Sequence, residues 1–352
     1  MKKKIGILSF ATACNHGAFL QVYALQGYLI SKGYDAEVLN YRNKHHYLNE
    51  MKAMFFKKDI SLIFYNLARL YSFKKSHKLL NMGNLKFDIT NIDTKKYDCI
   101  IVGGDIVWDF NNPYLGHDRA YFGHKIKSKN LITYAASAGT SKVNNISDYV
   151  KSGITKFNHL GVRDMETLKI AQTNPNISSQ IVLDTTLIYD FIIDDKRVYA
   201  EDYILIYAFE MTELDKSQII EFASLESLKI VSITFNKNYK WADKNFYKID
   251  PLRVLNLIKH ASFIYTSTFH GLLLSIKYRK KLALRNNPTI VSKCSWLISS
   301  LEIESIDIDN SSNIKSIWGN KKIYTNRFEQ VFSNLVEESK NYLNTSIEHE
   351  DN

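Results

Sequence analysis

The sequence predicts an α/β protein made of two successive series of alternating strands and helices. Short continuous apolar runs such as KIGILSF, YDCIIV, LITYAA and YILIYAF end in small residues and lead into helical spacing, as buried parallel strands do. The 352 residues exceed what one core usually fills. Periodicity also lapses and charge rises over residues 190–202 (DFIIDDKRVYAED), where a linker is expected. The expected domains are residues 1–190, with a helical insertion at 51–80, and residues 203–320, followed by a C-terminal helix at 321–346.

Residues 4–10 read as the first strand. Lys2, Lys3 and Lys4 before IGILSFATAC resemble a short signal peptide, but an amphipathic helix and a second strand (AEVLNY) follow at βαβ spacing, which favours the strand. The helix carries Phe19, Leu20, Tyr23, Ala24 and Leu29 at helical spacing and stops at Gly33. Asn15, His16 and Gly17 therefore fall between strand and helix, where doubly wound sheets bind ligands. Gly17 permits close backbone approach, and Asn15 either caps the helix or bonds a substrate oxygen. Residues 51–80 are basic, aromatic and helical. They are expected to pack as a cover on the domain, in preference to lying on a membrane or a lipid-linked acceptor, because their apolar positions fall on more than one face.

Strand signals resume at Tyr97–Val102 and end in Gly103-Gly104-Asp105, with Trp108 close behind. Two glycines allow a tight turn, and Asp105 suits a hydroxyl binder or base. A strand at 131–136 ends in Ser137-Ala138-Gly139, and a polar helix is expected over about 141–157. His159–Val162 form a brief strand with Arg163 at its end, and Asp164 caps the helix METLKIA. Arg163 suits a bidentate grip on a phosphate or carboxylate; the alternative is a surface ion pair with Glu166. Ile181–Leu183 close this half with one more strand and a terminal carboxylate, Asp184.

The second half opens with YILIYAF, a helix whose Thr212 and Asp215 suit a capping box, and LKIVSITF. Pro251 begins a helix at 251–260. Then comes the stretch that carries the strongest chemical signal, SFIYTSTFHGLLLSIK. Phe263, Ile264 and Tyr265 give way to Thr266, Ser267 and Thr268, and a helix begins at His270-Gly271 with Leu272, Leu273 and Ile276. One imidazole is thus expected at a helix N-terminus on the carboxyl edge of a sheet, where an anion would sit beside a group that passes protons near neutral pH. The plainer alternative is a packed histidine that caps a loop. KLALR reads as a further strand, and Phe328, Val331, Phe332 and Leu335 line one face of the tail helix.

The net charge of +10 favours anionic ligands or an anionic surface. Nucleic acid ranks last among these, since no RNA- or DNA-binding motif accompanies the charge. No run of 18 apolar residues offers a membrane span. Cys14, Cys99 and Cys294 are too few for a disulfide framework and read as reduced cytosolic thiols. His16, His45, His46 and His270 lack metal-ligand spacing with carboxylates, so no metal is expected.

NHGAFLQVYAL, YDCIIVGGDIVW, TYAASAG, GVRDMETL, IVLDTTL and TSTFHG with its following strand jointly resemble the polysaccharide pyruvyl transferase family, in the family's order, over about residues 5–286. The resemblance implies two Rossmann-like domains facing a cleft, as in GT-B glycosyltransferases, with the C-terminal helix returning to the N-terminal domain. It also implies transfer of the pyruvyl group of phosphoenolpyruvate to two hydroxyls of a sugar, or of a lipid-linked oligosaccharide, to form a ketal. No cofactor is expected beyond phosphoenolpyruvate as donor, and the cytoplasm is the expected location, with contact to the inner face of the membrane through 51–80 as the alternative to the packed cover. Arg163 and His270 match the family's arginine and histidine. Where the better-known branch has an arginine two residues before that histidine, this chain has Thr268, resembling a branch that reads S/T-x-F-H-G. Arg279, Arg285 or Lys259 then replaces the missing guanidinium, or the donor differs.

On this hypothesis His270 is the acid and Asp105 or Asp184 the base or hydroxyl binder, while Arg163, Ser267, Thr268, Gly271 and Arg285 hold the donor. Asn15, His16, Gly17, Gln21, Trp108 and Ser137 would hold the acceptor. Two rivals are a nucleotide-sugar glycosyltransferase of the same shape, and a non-catalytic partner in polysaccharide assembly.

Overall fold

The computed structural model describes residues 2–235, 238–308, 314–319 and 323–348. The chain forms two compact units: residues 1–66, 73–190 and 334–352, and residues 67–72 with 191–333.

The elements of the first unit, in chain order, are β1 (Lys4–Leu8), α1 (His16–Ser31), β2 (Asp35–Val38), α2 (Lys44–Phe55), α3 (Ile60–His77), β3 (Cys99–Gly103), β4 (Asn130–Ala136), α4 (Asp148–Ile154), β5 (His159–Val162), α5 (Met165–Ala171), β6 (Ser178–Ile181) and α6 (Thr185–Ile188). Residues 67–72 of α3 group with the second unit. The sheet order is β2-β1-β3-β4-β5-β6, and every pairing is parallel. β1 lies between β2 and β3 with Ile5, Ile7 and Leu8 wholly buried, which explains its unbroken apolar run. The lysine-led N-terminal stretch is therefore an interior strand of a sheet.

Departures from the expected elements have local causes. β6 begins three residues before the expected Ile181, because an edge strand of sequence SSQI exposes alternate residues and carries no apolar run. The polar helix is shorter than expected, running from Asp148 to Ile154 with Ser147 extended at its N-cap. Just upstream, Val143–Asn145 form a single 3-10 turn of their own, with the Val143 amide bonding Glu166 Oε1 at 3.0 Å. Segment 51–80 is two helices, broken before Asp59, which caps α3 through the Ser61 amide at 2.8 Å. The expected packed cover is only half packed. Asn66, Phe73 and Ser76 are buried while Phe56, Ile60, Phe64, Leu67 and Tyr71 are exposed.

The second unit contains β7 (Tyr203–Tyr207), α7 (Glu213–Leu225), β8 (Lys229–Ile233), β9 (Lys244–Phe246), α8 (Pro251–His260), β10 (Phe263–Thr266), α9 (Phe269–Lys277), β11 (Leu282–Arg285), α10 (Pro288–Ser300), β12 (Asp307–Ile308) and α11 (Ile314–Gly319). Its sheet runs β9-β8-β7-β10-β11-β12, again wholly parallel. Counted from β7 this is the order 3-2-1-4-5-6 of a Rossmann fold, whose ligand crevice opens beyond the carboxyl ends of the two central strands, β7 and β10. The final helix, α12 (Asn326–Glu348), belongs to the first unit from Asn334 onward. There the Tyr342 hydroxyl donates to Thr133 O at 3.0 Å, and Ser339 Oγ accepts from the Leu183 amide at 2.8 Å.

Candidate active site

The motif TSTFHG occupies the switch point of the second unit, where β10 ends beside β7. Thr266 Oγ1 donates to Tyr207 O at 2.7 Å and accepts from the Thr268 amide at 3.0 Å. Ser267 Oγ accepts from the Phe209 and Glu210 amides at 2.9 and 3.0 Å, tying the loop after β7 to the end of β10. Thr268 is the N-cap of α9 and accepts from the Gly271 amide at 3.0 Å. A Cβ on Gly271 would stand 2.1 Å from Thr266 Oγ1 and 2.6 Å from Thr268 Oγ1, so only glycine lets the helix start this close to the strand.

His270 is in the first turn of α9, 8% exposed, its ring edge-on to Phe269 at 5.0 Å. With the cap spent on Gly271, the earlier amides of the turn and the helix dipole supply positive potential beside this imidazole. The arrangement suits an anion next to a proton donor.

None of the three cations offered by the sequence as substitutes for the missing arginine is unengaged. Lys259 pairs with Asp195 at 2.8 Å. Arg279 makes a two-pronged pair with Glu329, at 2.6 and 2.7 Å, and stacks over Phe332. Arg285 grips Asp215, which is fully buried and also accepts from the Tyr265 hydroxyl at 2.7 Å. Burial pushes the Asp215 carboxyl up, but Arg285, the Thr212 backbone and Tyr265 outweigh it and hold it below its ordinary value. Asp215 is also the reciprocal partner of Thr212 in the capping box. Arg285, expected on the donor, thus anchors α7 to β11.

In the first unit, Arg163, Asp105, Asp184 and Gln21 come together at the carboxyl ends of β3 and β5 and on α1. The Arg163 guanidinium is 2% exposed; Nη1 donates to Asp184 Oδ2 at 3.2 Å, and Nη2 lies 3.7 Å from Asp105 Oδ1. The surface pair with Glu166 does not form, since Glu166 lies beside Lys142 and Lys169. Asp184 is buried, caps α6 through the Thr186 amide at 3.0 Å, and accepts from Gln21 Nε2. Asp105, at 18% side-chain exposure, is the member that reaches solvent. The backbone around it is strained: Asp105 (φ 54°) and Ala135 (φ 52°) are both left-handed, and the register of β4 on β5 slips between Thr133 and Ala136. Such conformations cost about 1–3 kcal/mol each and gather at functional sites. Gly103 allows the turn because a Cβ there would meet Tyr134 O at 1.9 Å.

Of the remaining acceptor candidates, Ser137 and Trp108 adjoin Asp105 through the backbone, the Ser137 amide donating to Asp105 O at 3.1 Å and the Trp108 amide to Ser137 O at 3.0 Å, while Asn15, His16 and Gly17 stand at the start of α1. Asn15 caps α1 through the Gly17 and Ala18 amides, with Gly17 in the first turn. His16 is buried with its ring 5.1 Å from Phe73. Ser137 is buried and donates to Asp164 Oδ2 at 2.7 Å. Trp108, expected to meet a sugar, lies in the core: it is fully buried, stacks on Phe122, and donates its indole N–H to Tyr121 O at 2.8 Å. Sequence reasoning missed Glu50. It pairs with Arg42 and accepts from the Cys14 amide at 2.9 Å, fixing the loop before α1. Nothing local in the sequence links positions 14 and 50. Among the described residues, no group of three or more His, Cys, Asp or Glu side chains has the arrangement to hold a metal ion, and no helix is long and apolar enough to cross a membrane. All three cysteines are buried, and none is in a disulfide.

Solved structures share this architecture. The UDP-GlcNAc 2-epimerase from Neisseria meningitidis bound to UDP-GlcNAc has 11% identity and a TM-score of 0.52, over 98% of this chain and 100% of that one. The UDP-GlcNAc 2-epimerase from Methanocaldococcus jannaschii has 14% identity and a TM-score of 0.51, over 97% and 100%. The glycosyltransferase SnogD from Streptomyces nogalater has 8% identity and a TM-score of 0.51, over 98% and 100%. At such identities the likeness concerns the GT-B-like fold alone. No curated protein sequence matches the chain. The family model for polysaccharide pyruvyl transferase matches residues 15–287, a span that holds the Arg163 cluster and the whole Thr266–Gly271 motif, and the chain belongs to that family.

Proposed function

We propose that the protein transfers the pyruvyl group of phosphoenolpyruvate to two hydroxyls of a sugar in a surface-polysaccharide precursor, forming a ketal and releasing phosphate. The observation that supports this most is the seat of His270, in a dipole-bearing first turn at the switch point of a Rossmann sheet. A proton delivered by the imidazole to the donor's methylene carbon creates oxocarbenium character at the neighbouring carbon. One sugar hydroxyl adds there and gives its proton to a base; the bond to phosphate breaks; the second hydroxyl closes the ring and loses its proton in turn. The chemistry needs an acid, a base and fixed positive charge. His270 is assigned the acid and Asp105 the base, since Asp184 is occupied as cap and ion-pair partner. The α9 first turn is assigned the donor's anion, and Arg163 the task of holding Asp105 in place.

The test is incubation with radiolabelled phosphoenolpyruvate and a panel of nucleotide- and lipid-linked sugars, reading label in the sugar and phosphate released. His270→Ala is expected to abolish transfer with the fold retained by circular dichroism; continued turnover would remove His270 from the acid role. A second reading, a nucleotide-sugar glycosyltransferase, is favoured by one observation: Lys259, Arg279 and Arg285 are all committed to carboxylates, which leaves a donor grip of amides and hydroxyls. Release of nucleotide, with no phosphate, would decide for it.

A further inference from the structure

We infer that helix α3 and the turn before it form a docking face for an anionic lipid surface. α3 has two opposed faces. One holds the buried Asn66, Phe73 and Ser76. On the other, Ile60, Phe64, Leu67 and Tyr71 recur at spacings of four, three and four residues, which places them within an arc of about 60° at roughly 100° per residue. Propensity does not require large apolar groups there, and they are conspicuously open: Phe64 is 68% and Tyr71 77% exposed, and Phe56, just before the helix, is 87% exposed. Four hydrophobic side chains in one exposed line, with Phe56 also exposed in the turn before them, exceed the scattered apolar residues that any surface carries.

Charge identifies the occupant. Residues 51–80 hold seven basic side chains against the single acid Asp59, and so carry six of the chain's ten net positive charges. Lys74, Lys75 and Lys78 continue the helix on the side of the apolar stripe, within about 50° of its centre, while Lys57 and Lys58 precede it. All five are exposed, and among the described residues none of them forms an ion pair with a carboxylate. An apolar line bracketed by lysines suits a helix lying in the interface of a bilayer, rings and leucine in the acyl boundary and ammonium groups among lipid phosphates. A second copy of the chain fits poorly, since it would bring two lysine-rich faces together with little acid to offset them.

The inference is independent of pyruvyl transfer, because the readout needs no turnover. Full-length protein is sedimented with vesicles of pure phosphatidylcholine and with vesicles containing about 30% phosphatidylglycerol. Binding to the anionic vesicles is expected to be at least about a hundredfold tighter, and to weaken in about 0.5 M salt. Phe64→Ser with Tyr71→Ser should lower binding by more than about tenfold. Lys74→Gln, Lys75→Gln and Lys78→Gln together should remove most of the preference for anionic lipid, a loss of about a hundredfold. Both sets should leave thermal stability unchanged, as the altered side chains are exposed. Failure to bind anionic vesicles, binding that neither set alters, or a dimer in light scattering that the Phe64/Tyr71 pair dissolves would each overturn the proposal.

Discussion

Gly271→Ala tests the geometry on which the His270 site depends. The added Cβ would lie 2.1 Å from Thr266 Oγ1 and 2.6 Å from Thr268 Oγ1, and both hydroxyls are buried. To make room, the first turn of α9 must withdraw or the hydroxyls must rotate. Rotation of Thr268 loses the helix cap, worth about 1 kcal/mol. Rotation of Thr266 breaks its 2.7 Å bond to Tyr207 O and takes the acceptor from the buried Thr268 amide, at about 1–3 kcal/mol. The expected loss of stability is therefore about 2–4 kcal/mol, read by chemical denaturation. Turnover should fall about a hundredfold, because a shift of roughly 1 Å misplaces the imidazole. The decisive comparison is the double variant Thr266→Ala with Gly271→Ala. Removing Oγ1 relieves the 2.1 Å contact but not the 2.6 Å one with Thr268 Oγ1, so the double variant should cost only about 1 kcal/mol more than Thr266→Ala alone, the value of the Thr268 cap, with a favourable coupling above about 1 kcal/mol. Additivity within about 0.5 kcal/mol would refute the claim that this hydroxyl forces glycine at 271.

Arg163→Lys keeps a cation near Asp184 but cannot also reach Asp105; kcat is expected to fall about a hundredfold with donor KM unchanged. A rise in donor KM with kcat retained would instead return the guanidinium to the donor's anion. His77 gives a pH prediction. Burial lowers its pKa from 6.5 to about 4, so between those values the unfolded chain binds a proton that the folded chain does not. Stability should decline as pH falls from 6.5 to 4, by up to about 3 kcal/mol, and His77→Gln should remove that slope in denaturation curves taken across the range. Trp108→Phe should leave acceptor KM within about twofold while costing about 1–3 kcal/mol, since the indole serves Tyr121 O and the core; an acceptor KM raised tenfold would put the residue back at the sugar.

What could be read from the sequence, and what could not, divides by the range of the interaction. The Thr212–Asp215 capping box, the Asp164 cap and the start of α8 at Pro251 were all legible, because each joins residues within three positions and follows from local backbone geometry. Apolar runs located β1, β3, β4 and β10 because those strands are buried on both faces. β9 and β12 lie toward the far edges of their sheet and are too short for a pattern to declare itself. The site failed differently. Residue types announced which groups were present, but not which had already found a partner 70 or 163 positions away, as Arg285 found Asp215 and Gln21 found Asp184.

That distinction bears on Thr268. From the sequence it registers as a lost arginine. In the fold its hydroxyl caps α9 and stands 3.0 Å from Thr266 Oγ1, while Thr266 bonds the carbonyl of Tyr207. An arginine has no acceptor with which to cap a helix, so a branch with arginine here must start this helix by other means. The threonine therefore accompanies a different way of building the same corner, one that ties the start of the helix to the strand end through Thr266 and Tyr207.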